Sequence, residues 1–344
     1  MEPLALFYSR EMLEHDTGQH PERVARLEAI EAALTHSGLT ARTPLREPEP
    51  AALGQITRVH ATGYVATVDR LARGGGGQLD PDTVVSRGSY RAALRAAGGA
   101  VAAARAVVGG EAKRAFALVR PPGHHARPAA GMGFCLFNNV AVAARAAQAE
   151  LGVGRLAIVD VDVHHGNGTQ ESFYEDPSVL FVSTHQHPFY PGTGALTETG
   201  AGPGAGATAN LPLPAGCGDA DYLACLDEVV LPLLRRHAPE LLLASVGFDA
   251  HWADPLANEQ LTIGGYVAIV QRLAAAADEL CGGRLALVLE GGYSLEALAY
   301  GVLAVCQALR GDAWEDPLGA SPYAARGPRV GPIVARARVI HGLG

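Results

Sequence analysis

The sequence predicts a three-layer α/β fold, in which helices cover both faces of a parallel sheet. From residue 115 onward, short apolar runs alternate with longer helical patterns, as in parallel strands joined by helical crossovers. These runs are apolar on both faces, which is typical of strands in a fully covered sheet. The chain has 344 residues, of which 48% are hydrophobic and 18% charged, so a large core can form. We therefore expect a single domain over residues 1–344.

The individual elements follow in chain order. The segment 20–23, His-Pro-Glu-Arg, opens a helix that Gly38 ends. Apolar residues recur along this helix at intervals of three or four: Val24, Leu27, Ile30 and Leu34. Strands are predicted at residues 115–119, 155–163, 179–183, 241–246 and 285–289, with helices between them. The Gly- and Pro-rich stretches 74–77 and 192–214 are predicted to be loops within the domain.

Composition excludes several classes of protein. The formal net charge is −8 and no run of basic residues could follow a phosphate backbone, so we expect no nucleic-acid partner. Signal-peptide and membrane-span patterns are absent, since no stretch reaches about eighteen consecutive apolar residues. The five cysteines form no Cys-x-x-Cys pair and predict reduced thiols in a cytoplasmic protein. Lys113 is the single lysine among 27 basic residues, a bias that suggests a bacterial gene.

Polar residues accumulate after the predicted strands. Ligands of parallel sheets bind outside the carboxyl ends of the strands, so this placement bears on function. The strand at 115–119 is followed by two prolines and a glycine, which end it. His124 and His125 are therefore predicted to lie in the loop that follows. Such a histidine pair by itself is more often a surface feature than a functional one.

The strand at 155–163 gives a stronger signal. Asp160, Asp162 and His164 occupy alternate positions and would share one face of the strand at its carboxyl end. An uncompensated buried carboxylate costs several kcal/mol, and the motif at 160–164 holds no arginine that could pair with the two aspartates. The pattern favours a metal over buried salt bridges, because Asp-x-His offers one oxygen and one imidazole ligand.

Two further strand ends complete the predicted site. The strand at 241–246 leads to Asp249, the candidate third ligand, and two aspartates with one histidine leave open the position that a catalytic metal needs for water. The strand at 285–289 leads through Glu290, Gly291 and Gly292 to Tyr293. The paired glycines permit a sharp turn that would present the phenol to a developing oxyanion.

Together these segments resemble the histone deacetylase family, which includes acetylpolyamine amidohydrolases, and in particular its class II-like branch. The resemblance covers nearly the whole chain through seven ordered motifs, at residues 20–23, 120–126, 133–135, 160–169, 190–194, 247–249 and 289–293. It implies the arginase/deacetylase fold with a parallel sheet of about eight strands. It also implies a zinc-dependent amidohydrolase that deacylates an acylated lysine or a small acylated amine.

The family pattern assigns roles to the polar residues. The zinc ligands are Asp162, His164 and Asp249. His124 pairs with Asp160, which favours the imidazolium, whereas His125 pairs with the neutral amide of Asn167. We therefore expect the pKa of His125 to lie near its usual value of about 6.5, as suits a general base that then acts as general acid. Tyr293 and the metal would stabilise the oxyanion.

The resemblance further implies the substrate-binding positions, which are Phe134 and Tyr190 as tunnel walls, Gly133 and Gly291 beside them, Asp82 at the rim, and Leu256 at the position of a gatekeeper. The family more often has phenylalanine at the position of Tyr190. Without the resemblance, Phe134 would be interpreted as a core residue. Arg26 matches an arginine that lines an internal channel, although a salt bridge on the helix surface is its simpler interpretation.

Potassium is the second implied cofactor. One site would use oxygens near Asp160, Asp162 and His164 together with Ser183 and Thr184. A second would use backbone oxygens of Phe173, Asp176 and Val179. A homo-oligomer is compatible with the sequence but is not predicted by any motif.

Alternative functions remain open at this point. Some polyamine-selective relatives carry a glutamate gatekeeper, and Leu256 cannot attract a distant ammonium, which favours acyl-lysine over acetylpolyamine. A catalytically inactive metal-binding or acyl-lysine-reading module is disfavoured because each catalytic position is filled. An arginase-like manganese enzyme would need more carboxylates to bridge two metals. The native metal, zinc rather than iron or cobalt, and the preferred acyl length are not determined by the sequence.

Overall fold

The computed structural model describes residues 1–323 and 329–344 of the chain. The strands in these ranges are β1 (Ala5–Phe7), β2 (Leu45–Arg46), β3 (Gly77–Asp80), β4 (Thr83–Val85), β5 (Arg114–Ala117), β6 (Leu156–Asp160), β7 (Val179–Gln186), β8 (Thr208–Leu213), β9 (Leu241–Val246) and β10 (Leu285–Leu289). Eight of them form one sheet in the order β2-β1-β5-β10-β9-β6-β7-β8, and β3 and β4 form a separate hairpin. Every pairing in the large sheet is parallel.

The helices occupy the crossovers. They are α1 (Ala25–His36), α2 (Leu39–Arg42), α3 (Leu53–Ile56), α4 (Thr62–Arg73), α5 (Ser89–Val108), α6 (Asn139–Leu151), α7 (Asn167–Phe173), α8 (Asp219–Cys225), α9 (Leu231–His237), α10 (Ile263–Cys281), α11 (Leu295–Arg310) and α12 (Gly331–His341). Short 3₁₀ turns lie at Arg10–Glu14 and Gly202–Gly204, and a π-helical turn at Leu226–Val230 joins α8 to α9.

The helices form two groups around the sheet. In one group α5 and α6 pack on each other, and α5 also contacts β1, β5 and β10. In the other, α11 packs between α1 and α10, and α10 contacts β9 and β10. Every residue of β5, β6, β7, β9 and β10 is buried, so both faces of the central sheet are covered. The predicted α/β fold with an eight-stranded parallel sheet is confirmed.

The predicted elements agree with the structure where the signal was strongest. The strands at 241–246 and 285–289 have the predicted bounds, and α1 buries Leu27, Ile30 and Leu34. Gly38 ends the helix in a left-handed conformation, with a φ of 72°. This conformation costs little free energy in a residue without a Cβ. All five cysteines are free and buried, as predicted.

Other predicted bounds were wrong. Strand β6 ends at Asp160, so Asp162 and His164 belong to the turn that follows and do not continue one strand face. The predicted loop 192–214 contains β8, and Gly77 in the predicted loop 74–77 begins β3. Strand β8 lies at the sheet edge, where Pro212 is tolerated although it cannot donate to a ladder, and its glycine-rich approach concealed it.

The architecture places the site. Because the strands of the large sheet are parallel, the segments that follow β5, β6, β7, β9 and β10 all emerge at the same edge of the sheet. Among the helices described here, none combines the length and the apolar character needed to cross a bilayer.

Candidate active site

Two aspartates and a histidine converge beyond the ends of β6 and β9. His164 Nδ1 lies 3.1 Å from Asp162 Oδ1 and 3.2 Å from Asp249 Oδ2. An imidazole nitrogen carries at most one hydrogen, so it cannot donate to both carboxylates. Asp249 Oδ2 is buried and has no hydrogen-bond partner among the described residues. Ligand atoms about 2.0 to 2.1 Å from a tetrahedral ion lie roughly 3.3 Å apart, so this set fits a metal centre.

The surrounding backbone holds these carboxylates in place. His164 N and Gly291 N donate to the two oxygens of Asp162, at 2.8 Å each, and Val163 N donates to Asp249 Oδ1 at 3.1 Å. A Cβ at Gly247 would collide with Asp162 Oδ2, and one at Gly291 with Asp249 Oδ2. The two glycines thus form a cradle that any side chain would fill. Gly291, which we expected at the substrate, lies against the candidate metal ligands.

His124 is paired with a carboxylate beside this cluster. Its Nδ1 lies 3.0 Å from Asp160 Oδ2, and its Nε2 lies 3.8 Å from Asp162 Oδ1. Burial alone would lower the pKa of His124, but the charges of Asp160 and Asp162 outweigh it and raise the pKa to about 10. The two carboxylates therefore favour the cationic form of His124.

His125 has the opposite character. Its Nδ1 lies 2.8 Å from Asn167 Oδ1, and Asn167 Nδ2 donates to Met132 Sδ at 3.4 Å, which turns the amide oxygen toward the ring. Nδ1 therefore carries the hydrogen and Nε2 can accept a proton. Burial, and then the charges of His124 and His164, hold the pKa of His125 well below its usual range. The expected value near 6.5 neglected this burial.

Tyr293 follows β10 and stands between two side chains. Its ring lies 5.8 Å from the ring of Phe134, in an edge-to-face arrangement, and 5.1 Å from the guanidinium of Arg26. Burial raises the pKa of Tyr293 well above its usual range, although the charge of Arg26 opposes this shift. The phenol therefore stays protonated, and its hydroxyl can donate a hydrogen bond.

Arg26 is an internal residue. It is 0% exposed and donates to the carbonyl oxygens of Glu290 at 2.6 Å and Gly292 at 2.7 Å. Its third contact is with Glu22, at 3.2 Å. The interpretation of Arg26 as a surface salt bridge was wrong, because its helix face turns inward against the tyrosine turn.

Aromatic rings lie around His125 and His164. The Tyr190 ring lies 5.1 Å from that of His125 and 6.1 Å from that of His164, and Tyr190 is 37% exposed. Phe134 is only partly buried, which argues against a core role. Its φ of 68° is rare for an aromatic residue, and its N–H donates to Thr83 Oγ1 at 3.1 Å. A Cβ at Gly133 would collide with the His125 ring.

Sequence reasoning missed two members of this aromatic group. The Phe189 ring stacks on that of His164 at 5.3 Å and 21°, and the His20 ring meets the edge of Phe134 at 4.5 Å. Both stand within or next to motifs that the sequence showed. Their contacts depend on the folding of loops and have no local signal.

Glu290 is a third missed residue. Its Oε2 accepts from Gly123 N at 2.6 Å and His124 N at 3.1 Å, and its Oε1 accepts from Ser245 Oγ at 3.0 Å. It lies within 4.8 Å of His124 and Cys135, but its oxygens are occupied by these donors. Glu290 therefore stabilises the loop that contains His124 and His125.

The rim residues lie on two loops. Asp82 accepts from Thr83 Oγ1 at 3.2 Å, in the hairpin that also holds the Phe134 amide. Burial, and then the neighbouring Asp80, raise the pKa of Asp82. Leu256 is partly buried, and its N–H donates to Asp254 Oδ1 at 2.9 Å.

The residues that we expect to bind potassium form two sets, one beside Asp160 on β7 and one between α7 and β7. Ser183 is the register partner of Asp160, and Thr184 Oγ1 lies 3.5 Å from the carbonyl oxygen of Asp160. In the second set, Asp176 N donates to the carbonyl oxygen of Phe173 at 3.0 Å, and Val179 N to that of Asp176 at 3.4 Å. The Asp176 carboxylate pairs with Arg145 at 2.5 Å, so only backbone oxygens would remain for an ion.

Comparisons with known proteins point to one family. The family model described as histone deacetylase domain matches residues 20–309. A probable deacetylase of Archaeoglobus fulgidus is 44% identical over 89% of this chain and 86% of its own length. A histone deacetylase-like amidohydrolase of Pseudomonas aeruginosa is 43% identical over 87% of this chain and 79% of its own length. The crystal structure of the HDA15 HD domain superposes with a TM-score of 0.90 at 38% identity, covering 98% of this chain and 95% of that one.

Proposed function

The chain belongs to the histone deacetylase family, and from this premise we propose that it hydrolyses the amide bond of acylated amines, with acyl-lysine in a peptide as its substrate. One observation carries the proposal: the cluster of Asp162, His164 and Asp249 lies beside a neutral histidine whose Nε2 is free to accept a proton. A donor phenol, Tyr293, stands at the same sheet edge.

Asp162, His164 and Asp249 would hold one Zn²⁺. Two carboxylate oxygens and one imidazole nitrogen suit a borderline cation, and three protein ligands leave a position open, as in catalytic sites. When bound, zinc polarises an acyl carbonyl and lowers the pKa of a coordinated water. The orphaned Asp249 Oδ2 and the glycine cradle support this assignment.

The protein groups divide the proton transfers between them. His125 Nε2 takes the proton of the attacking water and then passes it to the nitrogen of the leaving amine, so that a neutral amine departs. His124, kept cationic by Asp160, adds positive charge where negative charge develops. Tyr293 donates a hydrogen bond to the oxyanion of the tetrahedral intermediate.

The walls of the site favour an extended acyl-lysine. Phe134 and Tyr190 offer aromatic faces to a four-carbon side chain, and Leu256 at the rim offers no charge to a distant ammonium. Asp82 could accept the backbone N–H groups of a peptide. A small acetylated polyamine is the second candidate.

Steady-state kinetics on an acetyl-lysine peptide and on acetylputrescine test the proposal. We expect a higher kcat/KM for the peptide. A higher value for acetylputrescine would make the chain a polyamine deacetylase. If the metal-loaded protein bound either compound without turnover, it would be an inactive reading module.

Asp82→Ala is expected to raise KM for the peptide about 10-fold and to leave KM for acetylputrescine unchanged. A hydrogen bond to a charged group contributes about 1.5 to 3 kcal/mol, and only the peptide has a backbone to form it. Asp80→Ala is the matched control, because Asp80 accepts from Asp82 N within the same turn. An equal effect of Asp82→Ala on both substrates would mean that Asp82 only caps the loop.

Asn167→Asp is expected to move the acidic limb of the kcat/KM profile to higher pH by about one unit or more. A carboxylate 2.8 Å from Nδ1 favours the imidazolium, so the pKa of His125 rises and the base form is lost at a higher pH than in the wild type. In the same site, the carboxylate of Asp160 raises the pKa of His124 in this way.

Gln148→Glu provides the control for this profile. Gln148 Oε1 accepts from Arg145 Nη1 at 2.9 Å, so the variant adds the same charge beside an arginine on α6, without contact to His125. Its acidic limb should match that of the wild type. If Asn167→Asp also left the limb in place, His125 would not be the base that sets it.

Several expectations stay predictions. The potassium sites, the cytoplasmic location and a homo-oligomeric state are compatible with this function but do not follow from it. Zinc, iron and cobalt are to be compared by metal content and activity of the purified protein.

A further inference from the structure

Asp254 is a buried aspartate that accepts three backbone hydrogen bonds. Its Oδ1 accepts from Leu256 N at 2.9 Å, and its Oδ2 accepts from Tyr293 N at 2.7 Å and Ser294 N at 3.0 Å. The residue is only 7% exposed. One carboxylate thus joins the rim loop to the turn that carries the proposed oxyanion donor, 39 residues away in sequence.

The environment of Asp254 is unusual for a carboxylate. Burial, and then the charge of Asp249, raise the pKa of Asp254 to about 7, and the backbone N–H groups oppose that shift. The aspartate lies at the start of α11, where Ser294 is the N-cap, so the helix dipole also favours a negative charge. Neither Tyr293 N nor Ser294 N donates to a backbone oxygen among the described residues, so Asp254 is the acceptor for both.

The turn itself depends on external contacts. Gly292 has a φ of 117°, a conformation that favours glycine. Because glycine has no Cβ, it restrains the backbone before Tyr293 only weakly. Arg26 binds the carbonyl oxygens of Glu290 and Gly292 on the upstream side. Asp254 binds the N–H groups of Tyr293 and Ser294 on the downstream side. The direction of the tyrosine side chain is therefore fixed by one cation and one carboxylate.

We propose that Asp254 is a positioning residue that aligns Tyr293 with the developing oxyanion and couples this alignment to the substrate rim through Leu256. The inference rests on the proposed function. Asp254 does not contact the substrate and acts through the tyrosine backbone. A misplacement of about 1 Å at a catalytic group costs on the order of 100-fold in rate, so such a residue has a measurable effect.

Asp254→Asn tests this role. An amide offers one acceptor oxygen, and its NH₂ would face N–H donors, so at least one of the three contacts is lost. In the metal-loaded protein we expect kcat on an acetyl-lysine peptide to fall about 10- to 100-fold with little change in KM. In a Tyr293→Phe background the same substitution should change kcat by less than about 2-fold, because the group that it positions is already gone.

Two further measurements separate positioning from general structural support. The carbonyl of a trifluoroacetyl-lysine peptide is activated by its own substituent, so Asp254→Asn should cost less on this substrate than on the acetyl peptide. Amide hydrogen exchange at Tyr293 and Ser294 should accelerate, which does not depend on activity. Asp254→Glu gives the same comparisons if the asparagine variant does not fold.

Asp221→Asn is the matched control. Asp221 is also buried and accepts from Gly218 N at 3.1 Å and Arg329 N at 2.5 Å, away from the site. We expect it to leave kcat unchanged. An equal loss in both tyrosine backgrounds, or unchanged exchange at Tyr293 and Ser294, would overturn the inference. If the wild type turned over no acylated amine, the proposed function would fail, and the exchange measurement would still decide whether Asp254 holds the turn.

Discussion

Asp249→Ala is expected to release the metal and to lower deacylase activity at least about 1000-fold, while the fold persists. The bound ion supplies several kcal/mol of charge stabilisation in such reactions, and each 1.4 kcal/mol corresponds to a factor of ten. Asp162→Ala and His164→Ala should behave alike, because the three ligand atoms lie within 4.8 Å of one another and would share one ion. Metal content by mass spectrometry and kcat/KM on an acetyl-lysine peptide are the measurements.

Thermal unfolding adds a readout that does not depend on activity. An ion that binds only the folded state stabilises it, so a chelator should lower the Tm of the wild type and leave that of Asp249→Ala unchanged. Without the ion, burial and then the charge of Asp162 raise the pKa of Asp249, whereas contacts with His164 oppose that shift. Comparing each protein with and without chelator therefore isolates the contribution of the ion.

His165→Gln is the control for the histidine ligand. His165 follows His164 in the chain but contacts Thr193 and Gln170, at 2.8 and 3.0 Å, and is not part of the cluster. It should retain its metal. Full metal occupancy in Asp162→Ala, His164→Ala or Asp249→Ala would contradict the ligand assignment.

Tyr293→Phe is expected to reduce kcat about 100- to 1000-fold and to change KM little. The substitution removes one hydroxyl and keeps the ring, so the contacts with Phe134 and Arg26 persist. The loss should equal that of one oxyanion donor. A donor aimed at the transition state lowers kcat and kcat/KM together when it is removed, whereas a donor that holds the ground-state carbonyl raises KM.

Tyr190→Phe removes a hydroxyl from the opposite wall and serves as the control. Its ring should continue to pack against His125, so kcat should stay near the wild-type value. Near-normal turnover of Tyr293→Phe on an acetyl-lysine peptide would assign Tyr293 a structural role and leave oxyanion stabilisation to the metal. The same variant should lose less on a trifluoroacetyl peptide, whose carbonyl needs less help.

The central strands and the chemistry-bearing residues were accessible from the sequence. Strands β9 and β10 are apolar except for Ser245 because both of their faces are covered, and this pattern is local. The edge strands β2 and β8 and the neighbouring β1 are short or follow glycine-rich segments, so they carried no such signal. Asp160, Asp162 and His164 were evident because buried carboxylates require partners.

What the sequence determined by itself is the set of groups that the strand ends would bring to one edge of the sheet, since parallel strands share that edge whatever their order. Tertiary structure alone decided which of these groups touch. Examples are Arg26 beneath the Tyr293 turn, Phe189 stacked on His164, and Asp254 bonded to Tyr293 N. It also decided the low pKa of His125, because burial and neighbouring charge are properties of the folded site. These contacts join residues far apart in the chain, and no local periodicity encodes them.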